Sequence, residues 1–251
     1  MRHGSRGVVS PGTSWASGYR SGRLPYPMSG SGTRRRDGRA SGVVVGLDLA
    51  GSPLRSTGFC VLRGPREVRT AVLHDDAAIV EAIRSAHPRL VSIDAPLSLP
   101  RGRASLDARG PPHLRACDRE LLRRHIRFFP VTLGPMRMLT ARGMRLAGEL
   151  RAAGYWVEES YPGAAQDIVG LPRKGAGVER LRRALRARGF RGTIERRSTT
   201  HDELDAVLCA WVGRLCVERR AETIGDPREG TMILPRSAGQ LPRVPRRRAL
   251  N

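Results

Sequence analysis

Lysine is almost missing from this chain. Of its 45 basic residues 44 are arginine, and Lys174 is the single lysine. With the many Ala and Gly, that bias marks a GC-rich genome, so part of the arginine count reflects codon supply. Long apolar runs are missing as well. None approaches the ~18 residues of a membrane span, so the sequence reads as that of a soluble protein. The one apolar run near the start, Val43–Leu47, is too short for a signal peptide and stops at Asp48. Glycines upstream of it argue against an amphipathic transit helix. The four cysteines, Cys60, Cys117, Cys209 and Cys216, form no CxxC pair, and three sit in apolar segments. They read as buried free thiols in a reducing cytoplasm rather than a disulfide framework. His113, Cys117 and His125 match no familiar zinc spacing. Gly51 and Gly58 frame a loop too loose to be a phosphate-binding fingerprint. There is no internal repeat.

The formal net charge is +22 and is spread unevenly. Residues 1–42 hold eight Arg and one acid, and residues 236–251 hold five Arg and none. The body between them therefore keeps 32 of the 45 basic residues against 22 of the 23 acids. A basic body favours polyanions such as nucleic acid. The two ends are rich in Gly, Ser, Arg and Pro without strand or helix periodicity, so both are expected to be disordered.

Between them the pattern predicts three strands, a helix, a strand, a helix, a strand and further helices. The strands are Val43–Asp48, Thr57–Leu62, Val68–Leu73, Leu90–Asp94 and Tyr155–Glu159. The helices are Asp75–Ala86, one around Arg115–His125 inside an insertion over 101–135, Pro135–Ala153, Val178–Arg188 and Thr200–Val217. The last has a predicted seam of Leu204, Val207, Leu208, Trp211 and Leu215. Tyr161, Pro162 and Gly163 read as a turn closing the fifth strand.

A three-strand meander followed by crossover strands makes strands one and four parallel neighbours. Asp48 and Asp94 then end adjacent strands at the carboxyl edge, where open α/β sheets place their sites. Asp202 and Asp205 are three apart on the last helix and share a face. If that helix packs beside strand one, four carboxylates converge, and such a cluster calls for hard divalent ions. Each acid also has a structural reading. Asp202 suits a helix's first turn, where Thr200 and Glu203 have capping-box spacing. Asp94 before Ala95-Pro96 suits an Asx turn.

The stretches "GLDLAGSP…STGFCVL", "VSIDAPLSLP", "ACDRELLRR", "VEESYPG" and "HDELDAVLCAW" resemble the family catalogued as domain of unknown function 429, described as predicted nucleases of the RNase H fold. The outline is also similar to RuvC-type Holliday-junction resolvases, which carry Glu where this chain has Asp94. The resemblance implies an RNase H-like α/β fold over residues 43–235. Its mixed five-stranded sheet would have the order 3-2-1-4-5, with strand 2 antiparallel and helices on its flanks. It implies a nuclease that hydrolyses phosphodiester bonds with two Mg²⁺ or Mn²⁺ ions roughly 3.5–4 Å apart. Asp48 would bridge them, Asp94 and Asp205 would hold one each, and Asp202 would assist. Glu159 would reach the same rim. Lys174 with Arg180 and Arg183 would contact the substrate backbone. Two other readings stay open: another metal-dependent phosphoryl hydrolase or transferase, and a non-catalytic nucleic-acid-binding module.

Overall fold

The computed structural model describes residues 42–237. Apart from Gly42, Arg236 and Ser237, the expectations for the two ends lie outside the described residues. The first strand, β1 (Val44–Asp48), is a fully buried apolar run up to its final Asp. The strands β2 (Thr57–Arg63) and β3 (Glu67–Leu73) follow as an antiparallel hairpin. Helix α1 (Asp76–Ala86) is started by Asp75, whose carboxylate accepts from the Ala78 amide at 2.8 Å, and it buries Ile79, Val80, Ile83 and Ala86. Strand β4 (Leu90–Asp94) lies parallel to β1. The rest of the chain supplies α2 (Ala116–Arg123), α3 (Gly134–Ala152), β5 (Val157–Ser160), α4 (Pro162–Val169), α5 (Val178–Ala187), β6 (Arg191–Gly192), α6 (His201–Val217), β7 (Ala221–Asp226) and β8 (Gly230–Pro235).

The sheet order is β6-β3-β2-β1-β4-β5-β8-β7. Its central five strands have the order and directions of the expected RNase H-like sheet: β2 runs against β1, while β4 and β5 run with it. The strand number differs. The two-residue β6 extends the β3 edge, and the β7–β8 hairpin extends the sheet beyond β5. The hairpin closes on Asp226-Pro-Arg-Glu-Gly230, a turn signal between strands that lack clean alternation. Helix α2 of the 101–135 insertion packs on this hairpin, with Cys117 and Leu121, and Ile126 just beyond the helix, clustered with Ile224, Met232 and Leu234. The expected turn at Tyr161–Gly163 is instead the start of α4, with Pro162 in its first turn.

Helices α1 and α3 cover one face of the sheet and α5 and α6 the other. Helix α6 buries Leu204, Val207, Leu208 and Leu215 as its seam predicts, while Trp211 is only partly buried. It sits on the strands at backbone contact. A Cβ at Gly46 of β1 would fall on the Ala206 carbonyl and the Ala210 amide, and one at Gly58 of β2 on the Asp202 carbonyl. Glycine is required there so that α6 can bring its acids down to the sheet. Gly46→Ala forces the helix outward, and overpacking of this kind costs about 1–3 kcal/mol. A melting temperature lower by several degrees is the expected result in a calorimetric scan.

Candidate active site

Parallel pairing of β1 and β4 sets Asp48 directly beside Asp94 at the carboxyl ends of both strands. Both carboxylates are partly buried, and neither receives a hydrogen bond or ion pair among the described residues. The Asx turn expected at Asp94 is therefore not formed. Burial pushes the Asp48 carboxyl well above its usual range, and the charges of Asp205 and Asp202 push the same way. Burial likewise raises Asp94, followed by Asp48, Asp205 and Glu159.

The capping box at the start of α6 is present: Thr200 and Glu203 satisfy each other's backbone amides. That cap sets the first turn in place and leaves Asp202 free for other partners. Asp202 Oδ2 accepts from the Ser56 hydroxyl at 2.8 Å, and its Oδ1 lies 3.2 Å from Lys174 Nζ. One turn on, Asp205 Oδ1 accepts from Gln166 Nε2 of α4 at 3.2 Å. Burial lifts the Asp205 carboxyl from 3.8 to about 6, against the opposing charge of Lys174.

Glu159 is near enough for its charge to act on Asp94, but its hydrogen bonds go elsewhere. It is buried, and Arg115 forks onto both of its oxygens at 2.7 and 2.8 Å while the Leu97 amide donates to one at 2.8 Å. Both of its oxygens are therefore engaged by other donors. Lys174 is at the site but engaged with Asp202. Arg180 and Arg183 lie exposed on α5, where Arg183 is 3.6 Å from Glu179 and neither bonds an acid of the cluster. Ser56, Gln166 and Arg115 were not expected from the sequence. Gln166 had a readable signal, since Pro162 at the head and Gly170 at the end of α4 are helix punctuation.

The donor set is all oxygen, which fits a hard divalent cation. Among the described residues, no three His, Cys, Asp or Glu side chains are already gathered round one point as ligands. What the arrangement offers is an unpaired strand-edge pair, Asp48 and Asp94, facing two helix acids that already hold donors.

The profile of a family described as protein of unknown function (DUF429) matches residues 46–230. The chain belongs to this family. This DUF429 chain has no match among curated proteins. Among solved structures it is similar to Thermus thermophilus RuvC in complex with a Holliday junction substrate. The identity is 15%, the TM-score 0.39, and the match covers 70% of this chain and 95% of that one. A second Thermus thermophilus RuvC structure matches at 13% identity and TM-score 0.38, over 70% and 96% of the two chains.

The raised carboxyls give the DUF429 chain a pH signature. A carboxyl whose pKa is raised on folding takes up its proton in the folded state first. The folded state then binds more protons than the unfolded chain, and stability falls as the pH rises through that range. For Asp205 the window runs from 3.8 to about 6. In EDTA, wild type should melt higher at pH 5.5 than at pH 7.5, and Asp205→Asn should show a shallower slope. Thermal melts at the two pH values check this, and equal slopes would contradict it.

Proposed function

We propose that this chain is a divalent-metal-dependent nuclease that hydrolyses nucleic-acid phosphodiester bonds. The observation that carries the reading is the pair Asp48 and Asp94, side by side on parallel strand ends, with no donor on either. Two ionised carboxylates so placed repel each other and are poorly hydrated, so a cation completes them. Mg²⁺ or Mn²⁺ suits the oxygen donors, and such an ion supplies Lewis acidity and an activated water when bound. Asp48 and Asp94 would hold the ion, with Asp205 completing its shell under the restraint of Gln166. Ser56 and the α6 cap hold Asp202 facing the same space. The basic body, including exposed Arg180 and Arg183 of α5, would contact substrate phosphates.

The test is incubation of the full chain with single-stranded DNA, duplex DNA, RNA, an RNA–DNA hybrid and a four-way junction. Each is run with millimolar Mg²⁺ or Mn²⁺ and again with EDTA. Cleavage of at least one substrate, stopped by EDTA, is the expected result. Binding without cleavage of any substrate under either ion would make the chain a non-catalytic nucleic-acid-binding module instead.

A further inference from the structure

The donors around the four acids are distributed one-sidedly. Asp202 has Ser56 and Lys174, and Asp205 has Gln166. Asp48 and Asp94 have none among the described residues. The helix side of the cluster already contains a positive charge, and the strand side does not. We propose that Lys174 is a built-in cation of this cluster, its ammonium holding the position beside Asp202, so that the protein binds one divalent ion rather than two. This rests on the metal-dependent reading above and changes the expected number of ions, not their class.

Three observations support it. First, the ammonium acts on the whole cluster. Its charge opposes the upward shifts of Asp48, Asp94 and Asp205 as well as pairing with Asp202 at 3.2 Å. Second, the residue type fits the task. A chain that uses arginine at 44 of 45 basic positions places its one lysine here. An ammonium is a compact point charge, while a guanidinium is a wide planar fork that pairs bidentately with single carboxylates. Third, the lysine is delivered by an anchored loop. The preceding residue, Arg173, makes two hydrogen bonds to Asp167 at 2.8 and 2.6 Å and one to the Tyr161 hydroxyl at 3.2 Å. Its guanidinium also lies over the Tyr161 ring, 5.5 Å from the centroid. Tyr161 in turn donates to the Arg127 carbonyl at 2.7 Å. Lys174 then begins a short 3-10 turn, Lys174–Ala176, so its Cα is fixed although its stem is exposed. An ammonium beside Asp202 repels a second dication from the helix side and leaves Asp48 and Asp94 open for the first.

The number of bound ions tests this without reference to activity. The full chain is titrated with Mn²⁺, and free Mn²⁺ is followed by electron paramagnetic resonance. Wild type should bind one ion tightly, and Lys174→Met and Lys174→Gln should each bind two. Both variants should also melt lower than wild type in EDTA, because the cluster has lost its resident charge. Asp48→Asn should lose the wild-type ion or bind it at least tenfold more weakly. If wild type and both Lys174 variants bind the same number of ions with the same affinity, the proposal is wrong. Two ions in wild type would also overturn it while leaving the metal-dependent reading intact. If no protein in the series binds Mn²⁺, that reading fails and the proposal goes with it.

Discussion

Asp48→Asn should stabilise the protein in EDTA and destabilise it, relative to wild type, in Mn²⁺. The opposite signs follow from one cause. In wild type the Asp48 carboxylate is poorly hydrated and faces the charges of Asp205 and Asp202, with no donor on it. Removing its charge relieves that repulsion when no cation is present. With a cation present, the same substitution removes a ligand. An ion at about 100 times its dissociation constant adds about 2.7 kcal/mol to a protein that binds it only when folded. For a chain of this size that is roughly 5–10 °C in melting temperature. Wild type should show that shift on adding Mn²⁺, and Asp48→Asn should show about half of it or less, since even a tenfold weaker ion adds only about 1.4 kcal/mol. Cleavage should fall by about 10²–10³-fold, the usual effect of losing one preorganised charge contact in a site. Binding to nucleic acid through the basic surface should change little. Melts in EDTA and in millimolar Mn²⁺, with a cleavage assay on the same samples, check all three.

Arg115→Met should lower the melting temperature more than any substitution in the acid cluster. Arg115 is 2% exposed and is the largest fully buried side chain among the described residues. It pairs with Glu159 at 2.7 Å and with Asp118 at 2.9 Å, and both partners are buried too. Methionine keeps much of the volume but leaves two carboxylates without their counter-charge. Removing one member of a buried pair costs about 3–5 kcal/mol. At about 2–4 °C per kcal/mol the expected loss is roughly 6–20 °C. The loss reaches the site as well, because the Glu159 charge already raises Asp94 and would no longer be balanced. Calorimetry of Arg115→Met and of Arg115→Met with Asp118→Asn and Glu159→Gln separates charge from packing. The triple variant should recover part of the loss. If it melts no higher than the single variant, lost packing rather than stranded charge is the cause.

Strand ends and helix spacing were readable because they are local. The run Val43–Leu47 ending at Asp48, the matching Leu90–Asp94 and the DxxD of α6 each carry their own period, and the crossover order brings them to one edge. The partners of those acids are not local. Arg115 reaches Glu159 across 44 residues from inside an insertion whose own pattern is weak, and Ser56 reaches Asp202 across 146. Alternation along β5 shows that Glu158 and Glu159 point opposite ways, but not that the inward one meets an arginine. The β7–β8 hairpin was missed for a related reason. Its Glu, Thr and Gly positions and terminal Pro235 blur the strand period, and only its packing against α2 makes it a strand pair. Pro162 is ambiguous in itself, since its fixed φ suits both a turn and a first helical position. Tertiary context decides that case, with Ala164 and Ala165 on the buried face of α4.

The central claim is that the Asp48–Asp94 pair at the carboxyl edge of the sheet is a cation site. Crystals of the full chain grown with MnCl₂ test it most directly, through the anomalous scattering of manganese. The account expects an anomalous peak in direct contact with carboxylate oxygens of both Asp48 and Asp94, with Lys174 still beside Asp202. A well-ordered map with both aspartates clear and no peak between them, in crystals that bind manganese elsewhere, would contradict it.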